Sequence, residues 1–238
     1  PTSLNGAIVQ NTAADGDPEV YELWAAGDDE TVTAAQWDEN GIISFYVKDT
    51  SGDSDVVKKY SLSEIEENSA YKRVLDTGDD GSVDLTGASL IEEEVNSRRD
   101  LDGDGIVGVE ISSTASDHIS GQLYKGSGLN DDEVFYIVGY GLESGTSSRP
   151  LGLSAALRDE DDSDGNAVYW TPGDLTLDDF ERISDGSFSQ AVIDAIQDGD
   201  ADNGEEEAPG TAEYAALLDT SGTASVAFFD SNYQLITS

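Results

Sequence analysis

Three aspartates at alternate positions, Asp100, Asp102 and Asp104, are followed at once by Gly105. Calcium takes six to eight oxygens, and side chains at the first, third and fifth positions of a curled loop converge on one ion. Gly105 falls at the sixth position, where the chain must turn sharply and glycine has the backbone freedom to do so. Ile106 at the seventh would offer its backbone carbonyl, and Val107 at the eighth would pack inward. The second half departs from the EF-hand pattern. Its twelfth position, normally a bidentate glutamate, is Ile111, and Glu110 stands one place earlier. The shell would be completed by Glu110, by a carboxylate from elsewhere or by water, with weaker affinity than a full loop. The competing reading is a solvated acidic turn.

Three further loops carry part of the pattern. Asp76, Asp80 and Asp84 keep some positions, with Gly81 and Val83, but Gly78 stands at the third. Glu160, Asp162 and Asp164 precede Gly165, although Asp161 leaves the register ambiguous. Asp198, Asp200 and Asp202 end on Asn203 where the glycine should be. All three are read as calcium loops, each against the alternative of a solvated acidic stretch.

Catalytic chemistry is harder to find, and no enzyme is expected. His118 is the single histidine and there is no cysteine, so thiol chemistry and thiolate metal sites are excluded. His118 beside Asp117 is adjacency in sequence, which does not make a triad. Phosphate-binding, dinucleotide-binding and zinc motifs are missing. Carboxylate pairs suited to glycoside hydrolysis are uninformative in so acidic a chain. Trp24, Trp37, Trp170 and the tyrosines could stack on sugars, but Trp24 and Trp37 lie in strand-patterned runs and are expected in a core.

The elements that must position the loops are short. Val20–Trp24, Thr31–Trp37, Ile42–Val47 and Val56–Tyr60 read as strands, rich in aromatic and β-branched residues and separated by turn formers. Ser63 and Glu66 have capping-box spacing, which predicts a helix from about Ser61 to Leu75. A second helix is expected over Ser89–Arg99, with Leu90, Ile91 and Val95 on one face. Strands are read at Ile119–Tyr124, Glu133–Tyr140 and Ala167–Trp170, helices at Thr176–Ile183 and Phe188–Gln197, and a hairpin over Ala224–Phe229 and Tyr233–Thr237. Helices ending near Leu75, Arg99 and Gln197 would each lead into an acidic loop. Carboxylates at a helix C-terminus are unfavourable without a cation, so this placement favours calcium. The expected fold class is α+β: short antiparallel strands with several short helices leading into acidic calcium loops. Residues 1–112 and 113–238 are read as two parts, with a boundary near 141–150 as the alternative. A short internal repeat is also suggested, Tyr21 to Ile42 resembling Tyr214 to Leu235.

The formal net charge of −40, from 51 acidic and 11 basic residues, makes cation binding the central physical question. Such a charge repels itself and destabilises the compact state unless salt or multivalent cations neutralise it. Nucleic acid and anionic membrane surfaces are disfavoured partners, because phosphate contacts need Lys and Arg. No apolar run reaches the length of a membrane span. No signal peptide is visible at Pro1, and a processed form or an excised piece of a larger polypeptide is expected.

Tyr21-Glu-Leu-Trp24, Thr33-Ala-Ala-Gln-Trp37, Tyr60-Ser-Leu-Ser-Glu-Ile65 and Arg99-Asp-Leu-Asp-Gly-Asp-Gly-Ile-Val-Gly108 together resemble the tryptophan-rich repeat modules of large bacterial and cyanobacterial calcium-dependent surface or type I-secreted proteins. The resemblance covers about residues 20–110 and returns faintly over 213–238. The acidic loop itself is shared with dockerins and EF-hands, while the glycine-rich nonapeptide of β-roll repeats is missing. What the resemblance implies is a non-catalytic, extracellular or cell-surface module whose fold calcium stabilises, in an adhesive, surface-layer or spacer role. Its partners would be calcium ions and surface glycans or other surface proteins. The alternative expectation is a calcium-stabilised carbohydrate-binding module.

Overall fold

A computed structural model describes residues 2–4, 7–14, 17–37, 43–67, 70–75, 82–116, 122–129, 133–139, 142, 150–183, 211–219 and 224–236. The chain forms two compact units, Pro1–Gly108 with Gly128–Asn130, and Val109–Ser127 with Asp131–Ser238.

In the first unit, β1 (Thr2–Leu4), β2 (Ala7–Ala14) and β3 (Asp17–Ala25) form a three-stranded antiparallel sheet in chain order. A second antiparallel sheet takes β4 (Glu30–Trp37), β5 (Ile43–Asp49), β6 (Val56–Glu67) and β7 (Ala70–Leu75), and β8 (Ser82–Leu85) also pairs with β6. The helix α1 (Gly87–Ser97) follows directly. β5 is central, and Ile43 to Val47 are all buried, because both faces of the sheet are covered. On one face Ile43, Phe45, Val47 and Tyr60 cluster with Val32, and Phe45 stacks on Tyr60 at 4.9 Å. On the other, Tyr46, Val57 and Leu85 pack with Leu90 of α1, with Leu101, and with Ala34 and Leu129. Val32 and Ala34 would share a face in a regular strand. They do not, because a register shift lies between them, and the residue it frees, Thr33, meets Leu101: its hydroxyl donates to the Leu101 carbonyl.

In the second unit, β9 (Glu110–Ser116), β10 (Gln122–Ser127) and β11 (Val134–Gly139) form one antiparallel sheet, and β12 (Thr176–Arg182), β13 (Tyr214–Asp219) and β14 (Ala224–Phe229) another. A 3-10 turn covers Leu153–Ala155. The core gathers Leu123, Leu157, Trp170, Phe180, Tyr214 and Phe229. Trp170 sits edge-on to Phe229 at 5.2 Å and to Tyr136 at 5.8 Å.

The α+β expectation is therefore corrected. Antiparallel sheet dominates, and α1 is the one α-helix among the described residues. The helix expected over Ser61–Leu75 is the hairpin β6–β7, with Leu62 opposite Leu75 and Glu67 opposite Ala70. The capping-box spacing there lost to the strand already running from Val56, which pairs with β5 through Leu62. The helix expected over Thr176–Ile183 is β12. There a bulge between Leu177 and Asp179 inserts one residue, so Leu177 and Phe180 both meet the core at a spacing of three. That spacing imitates a helical face. The expected helix Phe188–Gln197 lies outside the described residues.

Two smaller expectations also change. Trp37 is 60% exposed at the end of β4, not buried. Its counterpart in the suggested repeat, Phe229, is fully buried. β13 pairs with β14, whereas β3 and β4 belong to separate sheets, so the repeat does not extend to strand pairing.

Candidate metal centre

Why α1 stops where it does decides the geometry. Ser89 Oγ accepts the N–H of Thr86 at 3.0 Å, satisfying a donor at the helix start. At the other end Arg98 adopts a left-handed conformation, φ 54°, and the Arg99 N–H returns to the Glu94 carbonyl at 3.2 Å. This cap turns the chain back along the last helical turn. Leu101 then drops into the core beside Leu90, and the acidic loop is held against the helix.

Within the loop, each carboxylate organises backbone ahead of it. Asp100 accepts the N–H groups of Gly103 at 2.6 Å and Gly105 at 2.9 Å. Asp102 accepts that of Asp104 at 3.0 Å, and Asp104 that of Ile106 at 2.6 Å. Gly105 sits at φ 94°, as its sixth position requires. Leu101, not Val107, supplies the buried apolar anchor.

Glu94 was not foreseen as part of this site. It is 2% exposed, and its two oxygens accept the N–H of Leu101 at 2.8 Å and of Gly108 at 2.7 Å. One side chain thus ties both ends of the loop. Carboxylate oxygens of Glu94, Asp100 and Asp102 all lie within 4.8 Å of one another. Two ligands of one calcium ion, each at about 2.4 Å, can be up to roughly that far apart, so a single ion can touch all three. The donors are all oxygen, the set a hard cation prefers. The glutamate missing at the twelfth position has a counterpart on the opposite side of the loop.

The electrostatics are unfavourable without a cation. Burial pushes the Glu94 carboxyl up to about 7, although two N–H donors favour its charged form, and Asp102 and Asp104 push it further. Burial first, and then the charges of Asp104 and Asp100, raise Asp102 to about 6. Burial likewise raises Asp104. Each pair of charges at this separation repels by on the order of 3 kcal/mol at an effective dielectric constant near 20.

The other expected ligands fall elsewhere. Glu110 opens β9 in the second unit, opposite Ser127, and is not among the three clustered carboxylates. The side chain of Ile106 is half-buried at its expected place in the loop. Asp84 lies on β8 opposite Lys58, in a strand; Asp76 and Asp80 lie outside the described residues, as do Asp198, Asp200 and Asp202. β7, not a helix, precedes residue 76.

Glu160, Asp162 and Asp164 are exposed and do not converge. Asp162 Oδ1 accepts the N–H groups of Asp164 at 2.9 Å and Asn166 at 2.8 Å, and Gly165 bonds back to the Asp162 carbonyl. Asp230 does the same for Asn232 at 2.8 Å and Gln234 at 3.0 Å, with Tyr233 in the place of Gly165. A turn that recurs without the acidic triplet is a turn motif in its own right, in which aspartate caps its own backbone. Trp170 is in the core, so it offers no stacking face.

Comparisons with protein-family models, curated proteins and solved structures found no match.

Proposed function

We propose that this chain is a non-catalytic calcium-binding module of a secreted or cell-surface protein, in which calcium stabilises the fold for an adhesive, surface-layer or spacer role. The observation that carries the reading is the convergence of Glu94, Asp100 and Asp102 within 4.8 Å at a helix-entered loop of calcium-loop spacing. The resemblance of residues 20–110 to calcium-dependent surface modules supports the extracellular setting, as does the lack of cysteine in a chain of charge −40. The mechanism is linkage. An ion that binds the folded state alone stabilises it by RT ln(1 + [L]/Kd), about 2.7 kcal/mol at a hundredfold excess over Kd. Calcium would also cancel the mutual repulsion of the clustered carboxylates.

Calorimetric titration of the chain with calcium, in moderate salt, is the direct test. We expect a saturable site, a rise in melting temperature with calcium, and loss of both in Asp102→Ala. Magnesium should compete weakly, because it demands a tighter octahedral shell. If sodium at high concentration replaces calcium fully, or Asp102→Ala titrates like the parent, the acidity serves salt adaptation and the reading fails.

A further inference from the structure

Beside the loop, a second polar network joins α1 to the sheet. Tyr46 is fully buried, and its hydroxyl donates to Glu93 Oε1 at 2.6 Å. Lys59 Nζ reaches the same oxygen at 2.7 Å. Gln36 Nε2 donates to the Tyr46 hydroxyl at 2.6 Å. Tyr46 and Lys59 stand opposite each other on β5 and β6, and Gln36 belongs to β4. Three strands therefore contribute to holding one carboxylate of the helix.

We infer that Glu93 is a positioning residue for the acidic loop: gripped by Tyr46 and Lys59, it fixes the roll of α1 about its axis and so aims Glu94 at Leu101 and Gly108. Its bearing on cation affinity rests on the calcium reading above. Leu90 and Ile91 are the only large apolar side chains that α1 fully buries. They are adjacent in sequence, so the bonds of Tyr46 and Lys59 to Glu93 give the helix a further point of attachment to the sheet. Adjacent residues are about 100° apart around a helix, so Glu93 can face the sheet while Glu94 faces the loop. With side-chain ends about 5.5 Å from the axis, a roll of roughly 20° would carry the Glu94 carboxylate about 2 Å. Hydrogen bonds of 2.7 and 2.8 Å would not survive that displacement.

Amide hydrogen exchange of the full chain in chelator, followed by NMR, tests this without any metal. In Glu93→Gln and in Tyr46→Phe we expect the amides of Leu101 and Gly108 to exchange at least about tenfold faster, while those of β5 and β6 keep their protection. Calcium affinity should fall by about tenfold in both variants. Tyr46→Phe keeps the ring in the core and serves if Glu93→Gln does not fold. Unchanged protection at Leu101 and Gly108, or a uniform loss across the unit, would overturn the inference and leave Glu93 as an ordinary anchor. A parent chain that binds no calcium would sink the calcium reading alone, because the exchange result is obtained in its absence.

Discussion

The carboxylate of Glu94 accepts the backbone N–H of Gly108 at 2.7 Å across fourteen residues of chain. With the second bond, from Leu101, it closes the acidic loop from the helix side. An ordinary EF-hand closes it from the other end. Leu101 and Gly108 are both buried, so their N–H groups have no water to fall back on.

Removing that acceptor should be costly even without metal. Glu94→Ala strands two buried donors, each worth about 1–3 kcal/mol. We expect a loss of roughly 3 kcal/mol in chelator, read as a lower urea midpoint with an unchanged slope.

The pH dependence should run opposite to that of an ordinary ion-paired carboxylate. In the fold Glu94 titrates near 7 against an ordinary 4.5, and Asp102 near 6 against 3.8. The folded chain therefore holds more protons than the unfolded one across this range. The stability these groups supply is complete below about pH 4 and is lost as pH rises through about 6 and 7. Urea midpoints in chelator should fall between about pH 5 and pH 8, and Glu94→Gln should flatten that fall by on the order of 2 kcal/mol. Equal slopes in parent and variant would show that Glu94 does not titrate differently in the fold.

Leu101 links the loop to the core around Tyr46 and Leu90. Leu101→Ala should cost about 2–5 kcal/mol, as large-to-small changes at fully buried leucines do. Because the anchor lies between Asp100 and Asp102, calcium affinity should weaken with it. Chemical denaturation and titration on the same variant check both.

Gly126 marks the tightest approach among the described glycines of the second unit. A Cβ there would lie 2.3 Å from Val109 Cγ1 and 3.1 Å from the Glu110 carbonyl oxygen. Gly126→Ala should destabilise by about 1–3 kcal/mol. Adding Val109→Ala should bring the double variant to less than the sum of the single losses, which thermal or urea melts would show.

Asp162→Ala should lower the melting temperature slightly and leave calcium stoichiometry untouched, because Asp162 serves its own turn. Asp230→Ala should behave alike. A lost calcium equivalent in Asp162→Ala, measured by calorimetry, would show instead that the exposed loop binds metal.

The acidic loop was legible because its demands are local. The spacing of Asp100, Asp102 and Asp104, and the turn at Gly105, need only adjacent residues. α1 was legible from Leu90 and Ile91, near the span it occupies. Glu94 was missed although it shares their face, four residues after Leu90. A glutamate on the apolar side of a helix, six residues before an acidic loop, is the signal that would have found it. β12 was misread because its bulge is a matter of pairing with β13, which periodicity in one strand cannot reveal. The same holds for β6, where pairing with β5 overrode the local capping signal at Ser63. Trp37 was misplaced because aromatic content alone does not say which end of a strand emerges into solvent.

Leu129 adds a constraint on how this protein can be cut or made. It belongs to the first unit, though it follows Gly108 by two strands, and it packs with the residues around Leu101. A fragment ending at Gly108 would carry Glu94, Asp100 and Asp102 and still lack part of the wall behind them. A chain emerging from a ribosome or an export channel completes that wall only after β9 and β10 have followed. The natural scissor point of the first unit is therefore not the single bond at which the sheets change.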